Sequence, residues 1–138
     1  MAAALRRHDA VERTLVSSFH AGSLRALRAL EAELALGLTY PADSHGLSTR
    51  RVVSALVGPG LAALRASLAA RIGRMLRRAQ ANVAVLHWQV VSRAALARCH
   101  ALDVPVLAWT VPSAEELRRL DELGVDGAIV DDPRISQG

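Results

Sequence analysis

Five short segments of the chain are rich in apolar residues without strict alternation, and amphipathic stretches separate most of them. Thr14–Phe19, Leu34–Leu38, Asn82–His87, Val104–Val111 and Gly127–Val130 are the five. Such runs do not alternate between apolar and polar, so they match strands buried on both faces, as in parallel sheets. The stretches between them repeat at helical spacing: Leu24, Leu27 and Leu30 after Gly22, and Leu96, Cys99 and Leu102 after Ser92. Strands alternating with helices predict βαβ units. Pro105 sits near the start of its strand, where a missing N–H is tolerated.

A longer interruption, at about 41–81, lies between the second and third strands. Pro41, Asp43, Ser44, Gly46 and Ser48 give its first part a loop-like character, and Ser48 can cap a short helix through Val57. Pro59 suits the start of a second, longer helix. There Leu61, Leu64, Leu68, Ile72, Met75 and Leu76 share one stripe, and Arg65, Arg71, Arg74 and Arg78 fall on the other side. That basic side reads first as a solvated face. Contact with a membrane surface is the lesser reading, because the apolar stripe lacks Trp and Phe. Residues 2–11 read as the tail of a helix ahead of the first strand.

Composition narrows the function classes. The 138 residues are 51% hydrophobic and 22% charged, which describes a folding sequence. Aromatics are only 3%, so Leu, Ala, Val and Ile must build the core. All 17 positive charges are Arg, which fits a GC-rich coding sequence. The net charge of +4 is spread along helices without aromatic or Gly-rich interleaving, which speaks against a nucleic-acid partner. No apolar run reaches the roughly 18 residues of a membrane span, and no signal peptide is visible, so a cytoplasmic location is the default expectation. The lone Cys99 reads as a buried, inert thiol in a reducing compartment.

Few residues offer chemistry. Trp109 and Phe19 close their strands and could wall a pocket at the C-terminal sheet edge, or simply pack among strands. His87 ends the third strand, and His20 follows Phe19. Asp131-Asp132-Pro133 follows the last strand, where paired acids could position a polar substrate or cap the next helix. Ser113 and Glu116 form a capping-box pattern. Gly124-Val-Asp-Gly127 reads as a helix stop and turn. His8, His45 and His100 carry no metal-ligand spacing, and neither a Walker loop nor a nucleophile elbow occurs.

Trp109-Thr-Val111 followed by a helix and then Gly124-Val-Asp-Gly-Ala-Ile-Val-Asp-Asp-Pro133 resembles the C-terminal end of the glycerophosphodiester phosphodiesterase family. The family pattern has Asn where Pro112 stands and Thr where Val130 stands. Val16-Ser-Ser-Phe19 is similar to a Ser-Phe strand end in the same family. The resemblance implies an α/β fold, a partial (β/α)₈ TIM-type barrel comprising about the last five strands. It implies a single unit over 1–138, with a helical insertion at about 41–81.

It also implies the family's reaction: hydrolysis of a glycerophosphodiester to sn-glycerol 3-phosphate and an alcohol, in lipid metabolism, with Ca²⁺ or Mg²⁺. That chemistry rests on an early His-Arg-Gly, a Glu-x-Asp, a His-Asp and a later Glu-x-Lys. None is assignable here, and the chain has no Lys at all. The family's catalytic residues are therefore expected ahead of Met1, no catalytic or metal-binding residue is assigned, and the chain alone is expected to be inactive. Phe19, His87, Trp109 and Asp131 remain substrate-pocket candidates. A closed eight-stranded barrel takes about 250 residues, so a complementing N-terminal half or an oligomer is expected to cover the exposed edges. The competing reading is a non-catalytic half-barrel acting as a structural or binding module in an oligomer. A different small α/β enzyme using His87 and Asp131 has no motif behind it.

Overall fold

The computed structural model describes residues 2–41 and 59–136. Helix α1 (Ala2–Arg7) precedes strand β1 (Leu15–Ser18), helix α2 (Ala21–Leu30) and strand β2 (Ala35–Tyr40). Helix α3 (Pro59–Ala79), strand β3 (Val83–His87) and helix α4 (Arg93–His100) follow. Strand β4 (Val106–Val111), helix α5 (Ala114–Leu123), strand β5 (Gly127–Val130) and a 3₁₀ turn (Pro133–Ser136) end the described chain. All five expected strands are present, with ends displaced by at most two residues: β2 runs on to Tyr40, and β4 begins at Val106.

The strands form one parallel sheet in sequential order, β1 to β5. Each connection is a crossover with its helix on the same side, the arrangement that curls a sheet toward a barrel. Five strands leave it open, with β1 and β5 as edges. The expected short helix through Val57 lies outside the described residues. The second part of the expected insertion is α3, which connects β2 to β3 and packs between α2 and α4 in the helix layer.

The two faces of the sheet differ sharply. Even-numbered positions Leu36, Leu86, Val106 and Ala108 face the helices and are fully buried, together with Leu24, Leu68, Ile72, Leu96 and Leu120. Odd-numbered positions face the concave side. There Leu15, Phe19 and Ile129 are 37%, 39% and 41% exposed. Gly37 and Gly127 also sit on this side. A Cβ on Gly37 would lie 2.7 Å from Val85 Cγ2, and one on Gly127 would lie 2.8 Å from Leu107 Cδ2. Neighbouring side chains fill the layer that these glycines leave open.

At the N-terminal ends of the strands one device occurs twice. Asn82 lies just before β3; its Oδ1 accepts the Leu36 N–H at 2.7 Å, while its own N–H donates to Leu36 O at 3.0 Å. Asp126 lies just before β5; its Oδ2 accepts the Val106 N–H at 2.7 Å, while its N–H donates to Val106 O at 2.9 Å. A side chain thus satisfies the first free donor of the preceding strand. Gly124 makes the second case possible, ending α5 in the left-handed region at φ 92° and turning the chain into position.

Asp126 Oδ2 also lies 2.9 Å from His100 Nε2. Burial acts to raise the Asp126 carboxyl, but hydrogen bonds from the Val106 N–H and from His100 outweigh it and hold the group below the usual carboxylate range. A folded-state value below the unfolded one contributes stability at neutral pH that is lost as pH falls through the carboxylate range. Asp126→Ala should therefore destabilise the fold by about 1–3 kcal/mol at neutral pH through the orphaned Val106 donor. Urea titrations at neutral and acidic pH should show the gap between variant and wild type narrowing in acid.

Candidate active-site cleft

The C-terminal ends of the strands enclose a cleft of about 250 Å³ lined by Ser17, Ser18, Phe19, Thr39, Val85, Trp109, Thr110 and Ile129. In barrels of parallel strands this end carries the active site. Each lining residue follows from its place on a strand. Ser17, Thr39, Val85 and Ile129 project from concave-facing positions of β1, β2, β3 and β5. Pairing between β4 and β5 shifts register between Ala108 and Val111, where two residues of β4 oppose one of β5. Such a bulge re-aims side chains, and both Trp109 and Thr110 reach the cleft.

Three of the four residues expected at the pocket come together. The Trp109 ring stands edge-on to Phe19 at 5.6 Å between centroids and edge-on to His87 at 5.3 Å. Trp109 Nε1 donates to Tyr40 O at 3.4 Å, and Trp109 O accepts the Trp88 N–H at 2.9 Å. Trp109 is thus tied to β2 and to the end of β3. His87 is buried at 6% exposure, and burial lowers its pKa, favouring the neutral ring. Its Nδ1 accepts the Gln89 N–H at 3.3 Å, which puts the ring proton on Nε2. Neutral His87 is therefore a hydrogen-bond donor through Nε2 and braces the Trp109 wall.

The fourth residue, Asp131, is exposed beyond β5 and does not line the cleft. Its neighbour Asp132 is accounted for locally. Asp132 Oδ1 accepts the Arg134 backbone N–H at 3.0 Å, and its carboxylate grips the Arg134 guanidinium at 2.7–3.1 Å. His20 is exposed at the start of α2, and His100 pairs with Asp126 at the opposite end of the sheet. Ser113 caps α5 by accepting the Glu116 N–H at 3.3 Å, while the Glu116 carboxylate bonds Arg119. Cys99 is fully buried, and burial followed by the Asp126 charge pushes its thiol up to about 11, consistent with an inert group.

Ser17, Ser18, Thr39 and Thr110 supply the polar part of the lining, and no motif in the sequence singles them out as pocket residues. Strand parity pointed to Ser17 and Thr39, each an even number of residues from a concave-facing neighbour. Nothing local signalled the bulge that adds Thr110. The cleft can offer an apolar wall and hydroxyl groups, while His87 packs against Trp109 outside the lining. Among the described residues, no three His, Cys, Asp or Glu side chains converge to hold a metal ion. The cleft lining includes no carboxylate, so these residues do not by themselves fit the divalent cation that the family resemblance implies.

Comparison with known proteins agrees with this geometry. The Glycerophosphoryl diester phosphodiesterase family profile matches residues 1–135. A glycerophosphodiester phosphodiesterase from Caldanaerobacter subterraneus subsp. tengcongensis is 26% identical over 130 residues, covering 94% of this chain and 43% of the relative. Among solved structures, a glycerophosphoryl diester phosphodiesterase from Silicibacter pomeroyi DSS-3 superposes with a TM-score of 0.68 at 25% identity. The match spans 98% of this chain and 40% of that one. An Oleispira antarctica phosphodiesterase, solved with its product sn-glycerol-3-phosphate, superposes with a TM-score of 0.63 at 19% identity. Here 89% of this chain and 40% of that one are covered. This chain thus spans less than half the length of these relatives, and the open, five-stranded sheet is the corresponding part of their barrels. With its profile matched along nearly the whole length, the chain belongs to the glycerophosphoryl diester phosphodiesterase family.

Proposed function

We propose that this chain supplies the C-terminal wall of a phosphodiesterase active site that cleaves glycerophosphodiesters to sn-glycerol 3-phosphate and an alcohol. The observation that carries this reading is the cleft at the C-terminal strand ends, where Phe19 and Trp109, the latter packed against His87, form a wall beside Ser17, Thr39 and Thr110. An apolar wall beside hydroxyls suits the glycerol moiety, with carbon on one side and hydroxyl groups on the other. Asp131 follows β5 at the same end of the sheet but is exposed and outside the cleft lining, so no contact is assigned to it.

Cleaving the diester also requires charge neutralisation at phosphorus and an acid and base flanking it. The described residues gather no such set. In this reading a segment carrying the family's His-Arg-Gly and Glu-x-Asp residues supplies those groups, together with the Mg²⁺ or Ca²⁺ they hold. That segment also covers the β1 and β5 edges. The purified 138-residue chain, assayed with glycerophosphodiesters and either cation, should release no sn-glycerol 3-phosphate above the uncatalysed rate. Turnover by the chain alone would refute the need for a complementing segment.

A further inference from the structure

Charge on the helix layer is segregated. Helices α2, α3 and α4 contain no Asp or Glu, although each carries Arg: Arg25 and Arg28 on α2, five between Arg65 and Arg78 on α3, and Arg93 and Arg98 on α4. Helix α5, in the same layer, mixes Arg118 and Arg119 with Glu115, Glu116, Asp121 and Glu122. An Arg-rich composition alone does not produce this contrast, since it acts on all four helices. Because α3 packs against both α2 and α4, the acid-free helices form one continuous outer face.

The Arg side chains on that face lie close together. Arg25 donates to Arg78 O at 3.2 Å, and Arg28 donates to Gln80 O at 3.3–3.4 Å, carrying α2 charge onto the C-terminal end of α3. A Cβ on Gly73 would lie 3.5 Å from Arg77 Nη1 and 3.7 Å from Arg98 Nε, so guanidiniums from two helices converge over that glycine. Arg71, Arg74, Arg77, Arg78 and Arg98 are exposed. Among the described residues, no carboxylate pairs with any of these side chains. Helix-end carbonyls account for Arg25 and Arg28. They do not account for the others, which repel one another unless anions lie nearby.

We propose that this face adsorbs to an anionic lipid surface, with Arg71, Arg74, Arg77 and Arg98 among the phosphate headgroups. The Arg side chains are spread over three helices without a groove or stacking aromatics, which suits diffuse attraction to many phosphates better than reading of a nucleic acid. They lie on the later turns of their helices, toward the N-terminal ends of the strands. Adsorption there leaves the cleft at the other end free. Attachment is by charge at the surface, since no described helix is long and apolar enough to cross a membrane. This inference does not depend on the catalytic proposal.

The full chain should co-sediment with phosphatidylcholine vesicles containing about one-third phosphatidylglycerol at low salt, and lose that binding in high salt. Combined Arg71→Gln, Arg74→Gln and Arg98→Gln substitutions, all at exposed positions, should weaken binding more than about tenfold. The same charge removed elsewhere, by Arg7→Gln, Arg13→Gln and Arg118→Gln, should change it less than about threefold. Circular dichroism should confirm that both variants fold. Equal loss in the two variants would overturn the proposal by showing a net-charge effect. Salt-insensitive binding to pure phosphatidylcholine would overturn it too, assigning adsorption to the apolar concave face instead. Tighter binding to duplex DNA than to vesicles, or no vesicle binding at all, would equally overturn it.

Discussion

Leu86→Ala should lower the unfolding free energy of the isolated chain by about 2–5 kcal/mol, whereas Ile129→Ser should lower it by only about 1 kcal/mol. Both residues are large aliphatics on strands of one sheet, and hydropathy alone ranks them equally. Their surroundings separate them. Leu86 is fully buried on the helix-facing side of β3, so truncation leaves a cavity that its neighbours fill only in part. Ile129 projects from the open concave side and is 41% exposed. A domain of this size has about 5–15 kcal/mol of stability in all, so Leu86→Ala should remove a large share of it. Ile129→Ser should improve solubility by removing exposed apolar surface next to the β5 edge. Urea unfolding midpoints and light scattering would measure both effects. Equal destabilisation by the two would mean that the concave side is covered in the isolated chain.

A second large effect is expected at Trp109 once the barrel is complete. Trp109→Ala should lower kcat/KM for a glycerophosphodiester about 10²-fold, because loss of the wall lets the substrate shift from its reacting position. Trp109→Phe keeps an aromatic wall and loses the Nε1 donor to Tyr40 O, and should stay within about tenfold of wild type. Steady-state kinetics on the completed enzyme, with unfolding curves as a control, would separate the two. A Trp109→Ala enzyme of full activity would remove Trp109 from the site.

Much of this architecture was legible in the sequence because buried parallel strands leave a distinct mark. Val83–His87 and Gly127–Val130 are apolar at nearly every position, and Ser92 and Ser113 announce the neighbouring helices as N-caps. The terminal Gly-Val-Asp-Gly motif was equally legible, and its role in the fold is structural. Gly124 turns the chain, and Asp126 closes the β4 ladder. This part of the family motif lies at the end of the sheet opposite the cleft, whereas Trp109 and Thr110, from its first part, line the cleft. The cleft itself was legible only in part. Phe19, His87 and Trp109 stood out as rings at strand ends. Thr110 did not, because its exposure to the cleft depends on a bulge set by pairing with a strand some twenty residues later. The basic side of α3 was legible from helical spacing, but its continuation onto Arg25, Arg28 and Arg98 was not, because only the packing of α3 between α2 and α4 brings the three helices together.

The most direct test is to co-express this chain with a polypeptide carrying the N-terminal βα units of a family member, including its His-Arg-Gly and Glu-x-Asp residues. The co-purified complex should form sn-glycerol 3-phosphate from a glycerophosphodiester in the presence of Mg²⁺ or Ca²⁺, while neither half does so alone. If the chain does not bind the N-terminal units, or a stable complex is no more active than its parts, this chain does not supply the wall of a phosphodiesterase site.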